Sequence, residues 1–151
     1  GHVLPAMIRK FHEAKVNGVD KVVLWGDGSP YREFLYSDDL ADAVVYLMEK
    51  KDAKDLGDFV NIGSGVDLTI KQLAETIRDV VYADAKGRTC LIEWDTTKPN
   101  GTPKKLLDIT RLVSLGWKPK IKFANGITLT YKDFGAVVDK SLNFTPFPEC
   151  F

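Results

Sequence analysis

The sequence predicts a mixed α/β fold, on three observations. Short β-branched runs alternate with longer segments whose apolar residues repeat at helical spacing. Clusters of Gly, Pro, Asn and Asp separate them. The strands so marked number roughly three or four, too few for a complete doubly wound sheet.

The first element is a helix from about Leu4 to Ala14. Pro5 suits its first turn, where a missing N–H costs nothing. Val3, Met7, Phe11 and Ala14 share one face, and Asn17-Gly18 ends it. Lys21 to Trp25 reads as a strand, followed by the turn cluster Gly26-Asp27-Gly28-Ser29-Pro30 and a second strand from Arg32 to Tyr36. Ser37 is the expected cap of the next helix, with Asp38 and Asp39 where the helix dipole favours anions. Its apolar positions, Leu40, Ala41, Val44, Val45, Leu47 and Met48, cover a face wide enough to need cover on more than one side.

Glu49 to Asp58 reads as a charged loop. Phe59-Val60-Asn61-Ile62 reads as a strand entering the turn Gly63-Ser64-Gly65. Thr69 and Gln72 form a capping box, and Leu68 with Leu73 a hydrophobic staple, at the head of a helix buried along Ile70, Leu73, Ile77 and Val80. Thr89 to Trp94 is another strand. Asp95 to Lys105 is a polar loop broken by Pro and Gly. Asp108 caps a short helix with Leu112 and Leu115 inward, stopped by Gly116 and Pro119. A last helix runs from about Ala124 to Lys140, and residues 142–151 form a tail without a period. The expected division is one domain over 1–141 plus that tail.

Composition narrows the function. The chain has 151 residues, 44% of them hydrophobic and 28% charged, with 21 Lys and Arg against 21 Asp and Glu. One compact domain of that length buries roughly 70% of its extended surface, without needing disulfides or metals. Zero net charge argues against a nucleic-acid binder. No run of about 18 apolar residues offers a membrane span. Cys90 and Cys150 lie far apart, which excludes a disulfide scaffold and fits a reducing, cytoplasmic setting. The opening Gly1-His2-Val3-Leu4-Pro5, without Met and almost at once helical, suggests the middle of a longer chain or a tag scar.

Few motifs carry chemistry on their own. There is no G-x-G-x-x-G fingerprint and no P-loop. Gly63-Ser64-Gly65 has the strand-to-helix context of an anion site, but a tight turn is the plainer reading. His2 and His12, the only histidines, complete no nucleophilic triad. The notable string is Trp25 to Phe34, WGDGSPYREF, followed by Ser37-Asp38-Asp39. Arg32 could hold a phosphate in bidentate fashion and Trp25 could line a pocket. The alternative is a hairpin with Trp25 in the core and Arg32 paired to Glu33 or Asp38, and physics alone favours it. Lys98, Lys104 and Lys105 flank Pro99-Asn100-Gly101-Thr102-Pro103, either a closing basic loop or a solvated one.

Taken together, HVLPAMIRKFHEA, VVLWGDGSPYREFLYSDDLA, VNIGSG, TIKQLAETI, KPNGTPKKLLDITRL and LGWKP resemble the C-terminal half of the GDP-L-fucose synthase family, within the extended short-chain dehydrogenase/reductases. REF…DDLA, NIGSG and LGWKP are shared by many extended reductases, epimerases and dehydratases. The HVLPA start, the WGxGxxxREF spacing and KPxGTPxKLLD are narrower.

The resemblance implies the substrate-binding part of a Rossmann-type enzyme that epimerises GDP-4-keto-6-deoxy-mannose and reduces it with NADPH. It implies that His2 is an acid/base near substrate and cofactor. It implies that Lys10 and Arg32 contact the nucleotide diphosphate, that Trp25 lines the substrate pocket, and that Lys105 lies near the nucleotide. Asn100 stands where the family often has an Asp near the guanine; an amide can meet a base edge, but not as an anion. The NADP-binding loop, the Tyr-x-x-x-Lys pair and the catalytic cysteine of the family would precede residue 1, so this chain alone is expected to be inactive. The face of residues 40–48 would then lack its cover, and a homo-oligomer is expected. A different nucleotide sugar, or a non-catalytic nucleotide-sugar binding module, remains the alternative.

Overall fold

The computed structural model describes residues 2–138. The expected tail, the end of the last helix at Lys140 and Cys150 lie outside the described residues. The elements are α1 (Val3–Val16), β1 (Lys21–Trp25), β2 (Tyr31–Glu33), α2 (Ser37–Lys50), α3 (Ala53–Leu56), β3 (Asp67–Thr69), α4 (Ile70–Val81), β4 (Leu91–Asp95), β5 (Lys104–Lys105), α5 (Thr110–Ser114) and α6 (Phe123–Val138). The mixed α/β expectation holds.

Two apolar clusters hold the chain. The larger joins α1, β1, α4 and α6. Phe11, Leu73, Ala74, Ile77 and Val81 are fully buried there, against Ile8, Leu24, Cys90 and Ile127. The smaller joins α2 to the α5 region through Ala43, Leu47, Leu112 and Trp117. Helical spacing made the stripes of α1 and α4 legible before any coordinates. The capping box forms as expected: Gln72 N–H donates to Thr69 Oγ1 at 3.1 Å, and Thr69 N–H to Gln72 Oε1 at 2.8 Å. His12 packs edge-on to Phe134, with Nδ1 3.1 Å from the Tyr131 hydroxyl.

The strands form two small sheets. β1 pairs in parallel with β4, from Lys21 opposite Leu91 to Trp25 opposite Asp95. In the second sheet β2 is central, antiparallel to β3 and parallel to β5. The hairpin alternative therefore fails: β1 and β2 lie in different sheets.

Several local expectations are corrected. Phe59–Ile62 is not a strand. No neighbouring strand takes its backbone groups, and Val60 and Ile62 serve the smaller cluster as irregular chain. The charged loop contains the short helix α3 behind an Asp52–Asp55 capping box. Ser37 is the first helical residue of α2 rather than its cap; Tyr36 holds that position, without a side-chain bond. Asp39 is buried, and its carboxylate accepts from the backbone N–H groups of Lys120 and Ile121. A buried carboxylate needs such partners, so Asp39 ties α2 to the segment entering α6.

Candidate functional site

Four of the six expected site residues come together where the sheets' loops meet. β1 alternates buried Val22 and Leu24 with an outward row of Lys21, Val23 and Trp25. Trp25 ends that row, 55% exposed, so its side chain is not core. Gly26 continues the pairing by donating to Asp95 O at 2.9 Å. The chain then turns, with φ of +81° at Gly26 and +77° at Gly28, values that favour glycine. From the facing loop, the Lys98 ammonium stands 5.6 Å from the Trp25 ring centroid. Asn100 Oδ1 accepts from Asp27 N–H at 2.8 Å.

One residue further, the Gly101 Cα faces Arg32: a Cβ built there would lie 3.7 Å from Nη2. Arg32 sits directly opposite Lys105 in the parallel β2–β5 pair, so both side chains leave the same face. Arg32 Nη1 also donates to Tyr31 O at 2.6 Å. The other face carries Tyr31 and Lys104, and Lys104 is engaged by Asp67 at 3.1 Å. Among the ion pairs of the described residues, none involves Arg32 or Lys105. The pairing of Arg32 with Glu33 or Asp38 weighed from sequence is absent.

Lys10 reaches this region from α1, donating from Nζ to Val23 O at 3.0 Å. Val23 precedes Trp25 by two residues, about 7 Å along the strand. His2 is exposed at the start of α1, where its carbonyl accepts from Ala6 N–H. That is about 12 Å along the helix from Lys10.

Sequence reasoning missed Glu33. Its Oε1 accepts from Ser64 Oγ and from Gly65 N–H, at 3.2 and 2.7 Å, and its Oε2 from Leu107 N–H at 2.9 Å. One carboxylate thus fixes β2, the 63–65 turn and the chain beyond β5. The available signal was the strand period, which puts Glu33 and Arg32 on opposite faces. The consequence for Gly63-Ser64-Gly65 is direct: a protein carboxylate already occupies the turn, so it is structural.

A separate groove of about 760 Å³ lies between the two clusters, lined largely by apolar groups that include Phe34, Tyr36, Val66, Leu68 and Phe123. None of the six expected residues lines it. Burial raises the Tyr36 phenol there, helped by the charges of Asp38 and Asp133.

Residues 1–63 match the NAD dependent epimerase/dehydratase family. The chain is 55% identical over 131 residues to putative GDP-L-fucose synthase 2 of Arabidopsis thaliana, covering 87% of this chain and 38% of that protein. It is 45% identical over 139 residues to the GDP-L-fucose synthase of Escherichia coli, covering 88% and 42%. Its curated homologues at 45–55% identity are named as GDP-L-fucose synthases. The chain spans about two-fifths of the length of these relatives, at 38% and 42%.

Among solved structures, a GDP-mannoheptose C4 reductase from Campylobacter jejuni with NADP bound superposes with a TM-score of 0.76 at 35% identity, covering 89% of this chain and 45% of that one. A GDP-L-fucose synthetase from Naegleria fowleri bound to NADP gives 0.76 at 27% identity, covering 92% and 41%. These neighbours are Rossmann-type extended short-chain dehydrogenase/reductases, and the α/β fold of this chain superposes on part of each.

Among the described residues, the glycine turn and the tyrosines at Tyr-x-x-x-Lys spacing are engaged within the fold. The glycine turn that could cradle a phosphate has its Gly65 N–H bonded to Glu33. Two Tyr-x-x-x-Lys spacings occur, at Tyr46–Lys50 and Tyr82–Lys86. The Tyr46 hydroxyl donates to Leu115 O at 3.0 Å as part of the smaller cluster. Tyr82 is buried, and burial with the Cys90 thiol alongside pushes its phenol up to about 12. Neither tyrosine is placed to give a proton to a ligand.

Proposed function

We propose that this chain is the GDP-sugar-binding portion of an NADP-dependent GDP-L-fucose synthase, which epimerises and then reduces GDP-4-keto-6-deoxy-mannose to GDP-L-fucose. The observation that carries the reading is the pair Arg32 and Lys105. Two cations on adjacent strands leave one face, and neither has a carboxylate ion-pair partner among the described residues. Like charges placed side by side repel, and a diphosphate bridging them turns that cost into charge-assisted hydrogen bonds. Arg32 supplies planar, bidentate donors and Lys105 a point charge. Lys10 adds a third cation from α1, and Trp25 an exposed indole for the nucleoside or sugar. In this reading Asn100 borders the nucleotide.

His2 is the proton-carrying group of the set. Epimerisation next to a carbonyl needs one group to remove a proton and another to return it on the opposite face. An exposed imidazole at the head of α1 can exchange its proton with solvent between turnovers. The hydride donor belongs to the remainder of the enzyme, so the chain alone does not turn over. Homo-oligomerisation is part of the proposal, supported by the exposed apolar positions of α2. A cytoplasmic location rests on the cysteine usage, with Cys90 a free, buried thiol.

Calorimetry with GDP, UDP and dTDP tests the reading. GDP should bind in preference to the other two, and Arg32→Ala should weaken GDP by about 1.5–3 kcal/mol if the contact is desolvated. An unchanged affinity would return Arg32 to a purely structural role. NADPH oxidation by this chain alone would refute its being only the substrate side.

A further inference from the structure

Asn100 was expected, from resemblance, at the base of the nucleotide. Its contacts say otherwise. Its Oδ1 is committed to Asp27 N–H at 2.8 Å. The approach is possible only because Gly26 has no side chain, since a Cβ there would collide with that same oxygen. The Asp27 carboxyl is held below the ordinary carboxylate range, first by Ser29 and then by Asn100. Hydrogen bonding from Asn100 is one of the influences that favour the ionised form of that carboxyl. The amide oxygen is therefore turned toward the turn, not toward a ligand.

The residues just after Asn100 carry this tie to the cationic pair. Gly101 reverses the chain at φ of +75° and lays its backbone beside the Arg32 guanidinium. Pro103 O accepts from Tyr31 N–H at 2.8 Å, which starts the register that sets Lys105 opposite Arg32. The loop has one anchor at its near end, where Asp95 accepts from Thr97. Between that anchor and Pro103, Lys98 stands over the Trp25 ring, and Asn100 hydrogen-bonds across to the Gly26–Pro30 turn.

We propose that Asn100 is a positioning residue: it clasps the 95–103 loop to the Gly26–Pro30 turn and so holds Arg32 and Lys105 in place for a diphosphate. The inference rests on the diphosphate reading of that pair. It also specifies the chemistry the clasp needs, an acceptor for Asp27 N–H that adds no second negative charge beside the Asp27 carboxylate. An Asp at 100 keeps the acceptor but sets two carboxylates face to face. Exchanging the two residues keeps the acceptor at position 100 and returns the pair to one carboxylate and one amide.

The test uses the full chain, with GDP and UDP as probes. Asn100→Asp should weaken both nucleotides by a similar factor, on the order of tenfold. The exchange variant, Asp27→Asn with Asn100→Asp, should recover most of that loss. Hydrogen exchange at the Asp27 amide should accelerate in Asn100→Ala. A loss confined to GDP, with no recovery on exchange, would make Asn100 a base-reading residue and overturn the clasp. Unchanged amide protection in Asn100→Ala would overturn it as well. If the unmodified chain binds neither nucleotide, the diphosphate reading fails and takes the positioning role with it. The exchange rates would still decide separately whether Asn100 holds the loop.

Discussion

Gly26 carries the tightest backbone demand at the site. Its φ of +81° favours glycine, and the space where a Cβ would go is filled by Asn100. Gly26→Ala should therefore cost about 1–3 kcal/mol, read as a lower denaturant midpoint with an unchanged slope. Wild-type stability in that variant would mean that the loop yields freely. Gly26 also shows what a sequence conveys at this scale. The turn is legible from composition, but its dependence on Asn100, far along the chain, is not. The two cations, Arg32 and Lys105, are similarly remote in sequence. Spacing offers each as a possible phosphate contact, but only the β2–β5 register puts them side by side. Glu33 is harder still, because its three partners come from two distant segments.

Elements whose signals are local were the legible ones. The α4 cap, the α1 stripe and β1 each depend on neighbours a few residues apart. β5 is a strand only because Tyr31 and Arg32 accept it as a partner, and no two-residue run of lysines announces that. Phe59–Ile62 shows the converse, a β-branched run with no strand beside it among the described residues. The clip between α2 and the chain entering α6 belongs to this scale. Asp42 accepts from Lys120 Nζ at 2.6 Å and from Trp117 Nε1 at 2.7 Å, and these bonds, Lys120 first, hold its carboxyl below the usual range. A carboxyl lowered on folding stabilises the fold above its unfolded value of about 3.9, and that contribution is lost as pH falls through the folded value. Asp42→Asn should be less stable than wild type at neutral pH, and the gap should close under more acidic conditions. Urea midpoints at pH values of about 7 and about 3 check this, and a gap that stays constant would contradict it.

At the scale of the molecule, α2 is the element with the most unfinished business. Ala43 and Leu47 are buried, yet Leu40, Val44, Val45 and Met48 are exposed, Met48 to 78%. The wide apolar face expected from sequence is present and largely uncovered by the described residues. Apolar faces of this kind drive association. The chain should therefore show a concentration-dependent oligomer in light scattering. Val45→Lys with Met48→Lys should release it without loss of helical circular dichroism. A monodisperse monomer at high concentration, unaffected by those changes, would sink the idea. Fold class was legible at this scale because alternation of strand and helix is a global pattern. The site was legible mainly through motif resemblance. Composition and spacing alone favoured the hairpin, which the two-sheet arrangement removes.

The three tryptophans sit in unlike surroundings. Trp117 is buried, Trp94 is partly shielded, and Trp25 is half in water with an ammonium group over its ring. The molecule thus carries a natural optical reporter at the rim of its cationic pair. Light emitted by Trp25 is red-shifted and open to collision with solutes, while the buried indole glows blue and sheltered. A negatively charged quencher is drawn to that rim, and a positive one is turned away. A ligand that settles against Arg32 and Lys105 and reaches the Trp25 ring should therefore change the colour of the protein without any dye attached.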